Sequence, residues 1–206
     1  KSLAAYVETM NFDIAHMQYP LGFSLVLMDA ISRYTTIKTA FTLHDANIFC
    51  AQSHLRQSNK MTICDGPQSP QKCTDCHLQG TRRSVEAVHQ PQVLPKLFDL
   101  RSKQTKEIIR NIDQTFVPTQ FLMSYLENYD YPLENVYPTT LGMPLFNKLP
   151  KIESSKIRFM FLGNLITVKG VEILLEAFAS IDDPNIELHL HGRAFQEAML
   201  EDLYEY

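Results

Sequence analysis

The chain contains four cysteines, and all of them fall within one short segment: Cys50, Cys64, Cys73 and Cys76. The intervals between them are 13, 8 and 2 residues, and the intervening sequence is polar and rich in turn-forming residues. Thiolates are soft ligands that bind zinc tetrahedrally, and a metal can order a loop that has no core of its own. This clustering favours a structural zinc over free thiols or disulfides, and four thiolates leave no open position for a catalytic metal. His54 and His77 are nearby candidates to replace one ligand.

Two histidines lie where predicted strands end. His16 is near the end of a strand that begins at Asp13, and His44 directly follows the strand TIKTAFTL, with Asp45 beside it. Ligands of open parallel sheets bind at the carboxyl ends of the strands. An imidazole at such a position can either hydrogen-bond the backbone or take part in binding and catalysis.

A third group of candidate residues lies in the turn of a predicted βαβ unit that spans residues 156–192. A strand over Ile157–Leu162, apolar enough to be buried on both faces, ends at Gly163. A helix follows Lys169-Gly170, and a second strand covers Ile186–Leu190. Free N–H groups at a helix start attract phosphate, and the Lys169 ammonium could neutralise a diphosphate. The alternative is that these are ordinary turn and cap residues with a solvated lysine.

The elements that would position these residues alternate between helices and strands. The pattern predicts helices over 1–10, 23–34 and 81–113 and from Thr119, strands over 36–43, 115–118 and 135–137, and a last helix over 194–206. Apolar spacing predicts a buried stripe at Leu97, Leu100, Ile108, Ile109 and Ile112 in the third helix. The architecture that fits is α/β with an open parallel sheet. A connector rich in proline and glycine suggests a domain boundary near residue 150.

Composition excludes some classes of function. A formal net charge of −4 argues against binding nucleic acid through bulk electrostatics. No apolar run reaches the roughly 20 residues that span a bilayer, and no secretory leader is present, so the cytoplasm is the expected compartment. The segment 81–113 is locally basic, which indicates a solvated face or a peripheral contact with anionic lipid. Its basic residues are Arg82, Arg83, Arg101, Lys103, Lys106 and Arg110.

The segment FLGNLITVKGVEILLEAF resembles the start of the C-terminal domain in family-four glycosyltransferases. In that family the arginine after the first glycine and the lysine before the second glycine hold the diphosphate of a sugar nucleotide, which implies this role for Lys169, with Gly163 and Gly170 in the same site. Asn164 stands where the family has an arginine that completes the phosphate clamp. The string TLHD resembles the family's Thr-x-His-Asp element. It implies that His44 is the leading catalytic candidate. His16 and Asp45 would then lie on the acceptor side.

The resemblance implies a GT-B fold, with two Rossmann-like domains built on parallel sheets, here incomplete. Residues 1–150 would be part of the acceptor-side domain, with a cysteine-rich insert over 50–80, and 151–206 the start of the nucleotide-sugar domain. The implied activity is a retaining, metal-independent transfer of a hexose from a UDP- or GDP-sugar to a glycan or lipid-linked acceptor. Because a full enzyme of this family needs two complete Rossmann-like domains, the resemblance implies a fragment that is inactive alone. The alternative is a non-catalytic, zinc-stapled binding or assembly module, which the Asn164 replacement motivates.

Overall fold

A computed structural model describes residues 2–19, 24–57, 62–79 and 89–194 of the chain. Several predictions lie outside these ranges, namely the first residue of the 23–34 helix, the segment 81–88 with Arg82 and Arg83, and nearly all of the last helix. The chain divides into two compact units, Lys1–Pro144 and Leu145–Tyr206, here called the N-terminal and C-terminal units. Both are α/β structures in which the described strands pair in parallel.

The N-terminal unit contains a four-stranded parallel sheet in the order β1-β2-β3-β4. Its strands are β1 (Ile14–Met17), β2 (Lys38–Thr42), β3 (Gln114–Val117) and β4 (Val136–Pro138). Its α-helices are α1 (Ser2–Thr9), α2 (Val26–Tyr34), α3 (Pro70–Leu78), α4 (Leu94–Asn111) and α5 (Gln120–Asn128), with short 3₁₀ helices at Ala46–Ile48 and Pro91–Val93. Two parallel strands that pair with each other must be joined by a crossover connection, which is usually a helix. Their carboxyl ends therefore lie at the same edge of the sheet.

A continuous apolar core holds this sheet against its helices. Strand β2 is buried at four of its five positions, and Phe41, its fourth residue, is fully enclosed. Ile109 and Ile112 from the end of α4, and Leu126 from α5, are equally inaccessible. Burying a side chain of this size contributes about 1.5–3 kcal/mol, so these positions anchor the strand ends where the candidate site lies.

The amino ends of β2 and β3 are joined by Asp113. Its carboxylate accepts hydrogen bonds of 2.9 Å from the backbone N–H and the hydroxyl of Thr39, and pairs with Lys38 at 2.7 Å. Burial alone would raise the pKa of Asp113, but the bonds from Lys38 and Thr39 outweigh it and hold the pKa below its ordinary value. Asp113 therefore ties the two strands together at their amino ends.

The predicted buried stripe of helix α4 is wrong in part. Ile108, Ile109 and Ile112 are buried as expected, but Leu97 and Leu100 are 42% and 41% exposed. Leu94 is the buried residue at the start of the helix. Thr105 is buried farther along, and its hydroxyl donates a hydrogen bond to the carbonyl of Arg101. Sequence spacing identified the helix but assigned its first turns to the wrong face.

Three basic residues of this helix have partners within the described structure. Arg101 is half-buried and donates to the carbonyl oxygen of Asn47. Lys103 pairs with Asp99 at 2.7 Å, and the Lys106 ammonium lies 5.5 Å from the centroid of the Tyr131 ring. These three side chains therefore serve local packing and pairing, and the peripheral lipid contact stays a prediction.

Helix α5 begins as the sequence predicted. Thr119 has an extended backbone, and its hydroxyl accepts a hydrogen bond of 3.3 Å from the N–H of Leu122. A cap of this kind contributes about 1 kcal/mol to helix stability. Thr119 thus has a structural role that accounts for its position.

The C-terminal unit contains two parallel strands and the helix that connects them. These are β5 (Ile157–Leu162), a 3₁₀ helix at Thr167–Lys169, α6 (Val171–Ala179) and β6 (Ile186–His191). Leu165 and Val171 are its buried centre, with Phe161, Leu175 and Leu190 packed around them. The predicted βαβ unit is therefore present, with β5 at the predicted bounds.

The expected burial of β5 on both faces is wrong for the described residues. Phe159, Met160 and Leu162 are 50%, 66% and 76% exposed. The reason is that β5 pairs only with β6 in this part of the structure, so one helix covers part of a two-stranded sheet.

Among the described residues, no helix is both long and apolar enough to cross a membrane.

Candidate functional site

Three polar side chains meet at the carboxyl edge of the N-terminal sheet. His16 is in β1, Gln18 follows that strand, and His44 follows β2, the neighbouring strand in the sheet. The Gln18 side-chain nitrogen lies 3.1 Å from Nδ1 of His16, and its oxygen lies 3.0 Å from Nε2 of His44. Gln18 therefore bridges the two imidazoles that the sequence had singled out separately.

The contact with Gln18 assigns the hydrogen-bonding role of one ring nitrogen of a neutral His44. A neutral His44 donates its Nε2 proton to the Gln18 oxygen, which leaves Nδ1 as an acceptor. The Gln18 amide nitrogen lies 3.1 Å from both Nδ1 and Nε2 of His16, and Nε2 also shares a 2.9 Å hydrogen bond with the Thr42 hydroxyl. Its ring also contacts Phe116, with centroids 5.9 Å apart. His16, Gln18 and His44 are solvent-exposed, so this edge can present hydrogen-bonding groups to a ligand rich in hydroxyls.

Asp45 has a local role in the same loop. Its carboxylate accepts a hydrogen bond of 2.8 Å from the N–H of Asn47 and caps the 3₁₀ helix at Ala46–Ile48. In the described structure it makes no hydrogen bond to His44.

Gln18 is the site residue that sequence reasoning missed. The signal that could have found it is its spacing, because residues two apart on an extended segment point to the same face.

The cysteine cluster (Cys50, Cys64, Cys73 and Cys76) lines a single cavity of about 450 Å³ in the insert between β2 and α4. Cys50 follows the 3₁₀ helix, and its N–H donates to the carbonyl of Ala46 at 2.8 Å. Cys73 and Cys76 are one turn apart on α3, a helix capped by the Ser69 hydroxyl. The four cysteines, all within the described ranges, form no disulfide and are half-buried.

Cys64 is held from two sides. Its N–H bonds the carbonyl of Leu55, and its own carbonyl accepts a 2.9 Å hydrogen bond from the Tyr125 hydroxyl. The N–H of Gly66 lies 3.4 Å from the Cys64 sulfur. Gly66 has a φ of +114°, and a Cβ there would lie 2.1 Å from the Tyr129 hydroxyl oxygen, so only glycine fits.

The thiols are close enough to influence one another. Burial raises the pKa of Cys73 to about 11, and the neighbouring thiols of the cluster raise it further. As placed, no three His, Cys, Asp or Glu side chains of the described ranges are arranged to hold a metal ion. The four sulfurs thus share one cavity without converging on one point.

The loop after β5 leads directly into a helix start. Gly163 ends the strand, its N–H bonded to the carbonyl of His191 at 2.9 Å, and Asn164 is exposed. Gly170 adopts the left-handed conformation, with φ of +69°, and is the N-cap of α6, where no side chain caps the helix. The first N–H groups of a helix have no acceptor within it, so this start can bind an anion.

Two charged residues flank that helix start. Lys169 precedes Gly170, is exposed, and makes no ion pair within the described ranges. Glu172 lies in the first turn of α6, and its carboxylate accepts a 2.7 Å hydrogen bond from the Thr167 hydroxyl. Lys169 favours an anionic ligand here, whereas Glu172 competes with one for the same positive end of the helix.

Gly192 is a second residue that sequence reasoning missed. A Cβ at this position would lie 1.7 Å from the carbonyl oxygen of Gly163, a distance no side chain can adopt. The end of β6 therefore approaches the loop after β5 so closely that only glycine fits. The sequence signal was a glycine at the end of the second strand of the βαβ unit.

Comparison with known proteins does not place the chain in a family. No protein-family model matches the chain, and no curated protein matches it.

Proposed function

We propose that this chain is part of a retaining, metal-independent glycosyltransferase of the GT-B type that transfers a hexose from a UDP- or GDP-sugar to a glycan or lipid-linked acceptor. The observation that carries the proposal is the start of α6. There a left-handed Gly170 and an exposed Lys169 precede a helix start without a side-chain cap. Helix amides and a lysine together are suited to stabilising a departing diphosphate.

Two further features support this function. The segment from Phe161 to Phe178 is similar to the donor-binding element of family-four glycosyltransferases. The edge formed by His16, Gln18 and His44 offers hydrogen-bond donors and acceptors of the kind that sugar hydroxyls need. In this proposal Gly163, Asn164, Lys169 and Gly170 contact the donor diphosphate, and His44 is the leading candidate for a catalytic residue.

A specific observation favours a second candidate, a non-catalytic module derived from such a transferase. Asn164 replaces the expected arginine, and the Glu172 carboxylate lies at the helix start where phosphate would bind. Both changes weaken an anion site, since a positive charge is lost and a negative one is near.

Isothermal titration with UDP and GDP separates the two candidates. The transferase proposal predicts binding of at least one nucleotide, weakened about tenfold in Lys169→Ala, which corresponds to about 1.4 kcal/mol. Lys151→Ala is the matched control, because Lys151 is an exposed lysine of the same unit outside the loop. Absence of binding by both nucleotides, or equal affinity of Lys169→Ala and the parent chain, would favour the non-catalytic module.

A further inference from the structure

We propose that the cysteine cluster binds one structural Zn²⁺ ion through four thiolates, and that the ion fixes the insert next to the loop that carries His44. This inference is independent of the transferase proposal, because it rests on the insert alone. The cluster contains every cysteine of the chain, and all four line one cavity.

The ligands come from three separately anchored pieces of backbone. Cys50 is tied to the 3₁₀ helix at Ala46–Ile48, and Cys64 is tied to Leu55 and Tyr125. Cys73 and Cys76 are at positions i and i+3 of α3, so they lie on one face of the helix. A tetrahedral zinc bound by these four ligands would cross-link the three backbone segments that carry them.

One contact of the Cys64 sulfur fits a thiolate ligand, whereas a 3.6 Å hydrogen bond from the Cys64 thiol to the Gly66 carbonyl belongs to the protonated form and would be lost. The Gly66 N–H points at the Cys64 sulfur from 3.4 Å, and a hydrogen bond of this kind stabilises negative charge on sulfur. An ion pair between Asp65 and Lys72 joins the residues next to Cys64 and Cys73. The loop that carries Cys64 is thereby held against the first turn of α3.

Zinc binding would draw the sulfurs together. The cavity of about 450 Å³ is larger than one ion requires, and the sulfurs do not converge as placed. When Zn²⁺ binds, four Zn–S bonds of about 2.3 Å form and the thiol protons pass to solvent. Since Cys50 is bonded to the 3₁₀ helix that follows His44 and Asp45, this closure would also restrain the site loop.

The first test is the metal content of the whole chain, expressed with zinc, purified without a polyhistidine tag in reducing buffer, and measured by mass spectrometry of the elements. We expect about one equivalent of zinc, and loss of most of it in Cys64→Ser and in Cys73→Ser. His77→Gln and His54→Gln are the matched controls. Both should keep the metal, and loss of zinc in either would contradict the four-thiolate ligand set.

A second measurement avoids variants that fail to fold. The parent chain is alkylated with iodoacetamide with and without a zinc chelator, and its intact mass is recorded before reduction. Thiols protected until the chelator is added support the site. The proposal is overturned by less than about half an equivalent of zinc together with chelator-independent alkylation. A mass lower by the hydrogens of one or two disulfides would overturn it as well.

Discussion

Gly192→Ala should separate the ends of β5 and β6. The new Cβ would lie 1.7 Å from the Gly163 carbonyl oxygen, whereas an ordinary contact needs 3.4 Å or more, so the two backbones must move apart by about 1.7 Å. Two hydrogen bonds span this junction, from the Gly163 N–H to the His191 carbonyl at 2.9 Å and from the Leu165 N–H to the Arg193 carbonyl at 3.0 Å. Neither survives such a shift.

The magnitude follows from those two bonds. At about 1 kcal/mol each, their loss lowers the local free energy of opening by about 2 kcal/mol, which corresponds to roughly 30-fold faster amide exchange. Hydrogen exchange followed by NMR reads the Gly163 and Leu165 amides directly. Gly142→Ala is the control, since a Cβ there meets nothing within 4 Å. Unchanged protection of both amides in Gly192→Ala would refute the close approach of the strand ends.

Three further changes test other parts of the account. Asp113→Asn should destabilise the chain by about 1 kcal/mol at pH 7, measured by urea unfolding. Because the folded pKa of Asp113 is lowered, its contribution is present above the ordinary value of 3.8 and is lost as the pH falls through the folded pKa. The difference between the parent chain and Asp113→Asn should therefore shrink in acid, and a difference that does not vary with pH would contradict this assignment. Gly66→Ala should lower stability by about 1–3 kcal/mol, because alanine is strained at a φ of +114° and its Cβ would displace the end of the Tyr129 side chain; wild-type stability would refute this backbone conformation. Glu172→Gln should tighten nucleotide binding in a titration, whereas weaker binding would show that Glu172 assists the ligand.

Local patterns in the sequence predicted local structure well. The apolar run from Ile157 to Leu162 matched the observed strand, and Thr119 caps α5 as its chemistry suggested. In both cases the determining interactions lie within a few residues of the chain. Burial of β5 depends instead on which strands and helices cover it, and an apolar run carries no information about those neighbours.

The candidate site likewise combines positions that the sequence predicted with contacts that depend on the fold. His16 and His44 were assigned to strand ends from the sequence, and parallel pairing of β1 with β2 brings them to one edge. Gln18 was missed because its significance is the bridge between two imidazoles, which exists only in three dimensions. Gly192 was missed for a similar reason, since its need for glycine comes from the carbonyl of a residue 29 positions earlier in the chain.

The most direct test of the central proposal is a titration of the isotopically labelled chain with UDP and with GDP, followed by amide chemical shifts. If the start of α6 binds a diphosphate, the largest shifts will occur at residues 170–173 with at least one nucleotide. They will weaken in Lys169→Ala and persist in Lys151→Ala. Shifts confined to other parts of the chain, or none with either nucleotide, would contradict the assignment of this loop to a sugar nucleotide.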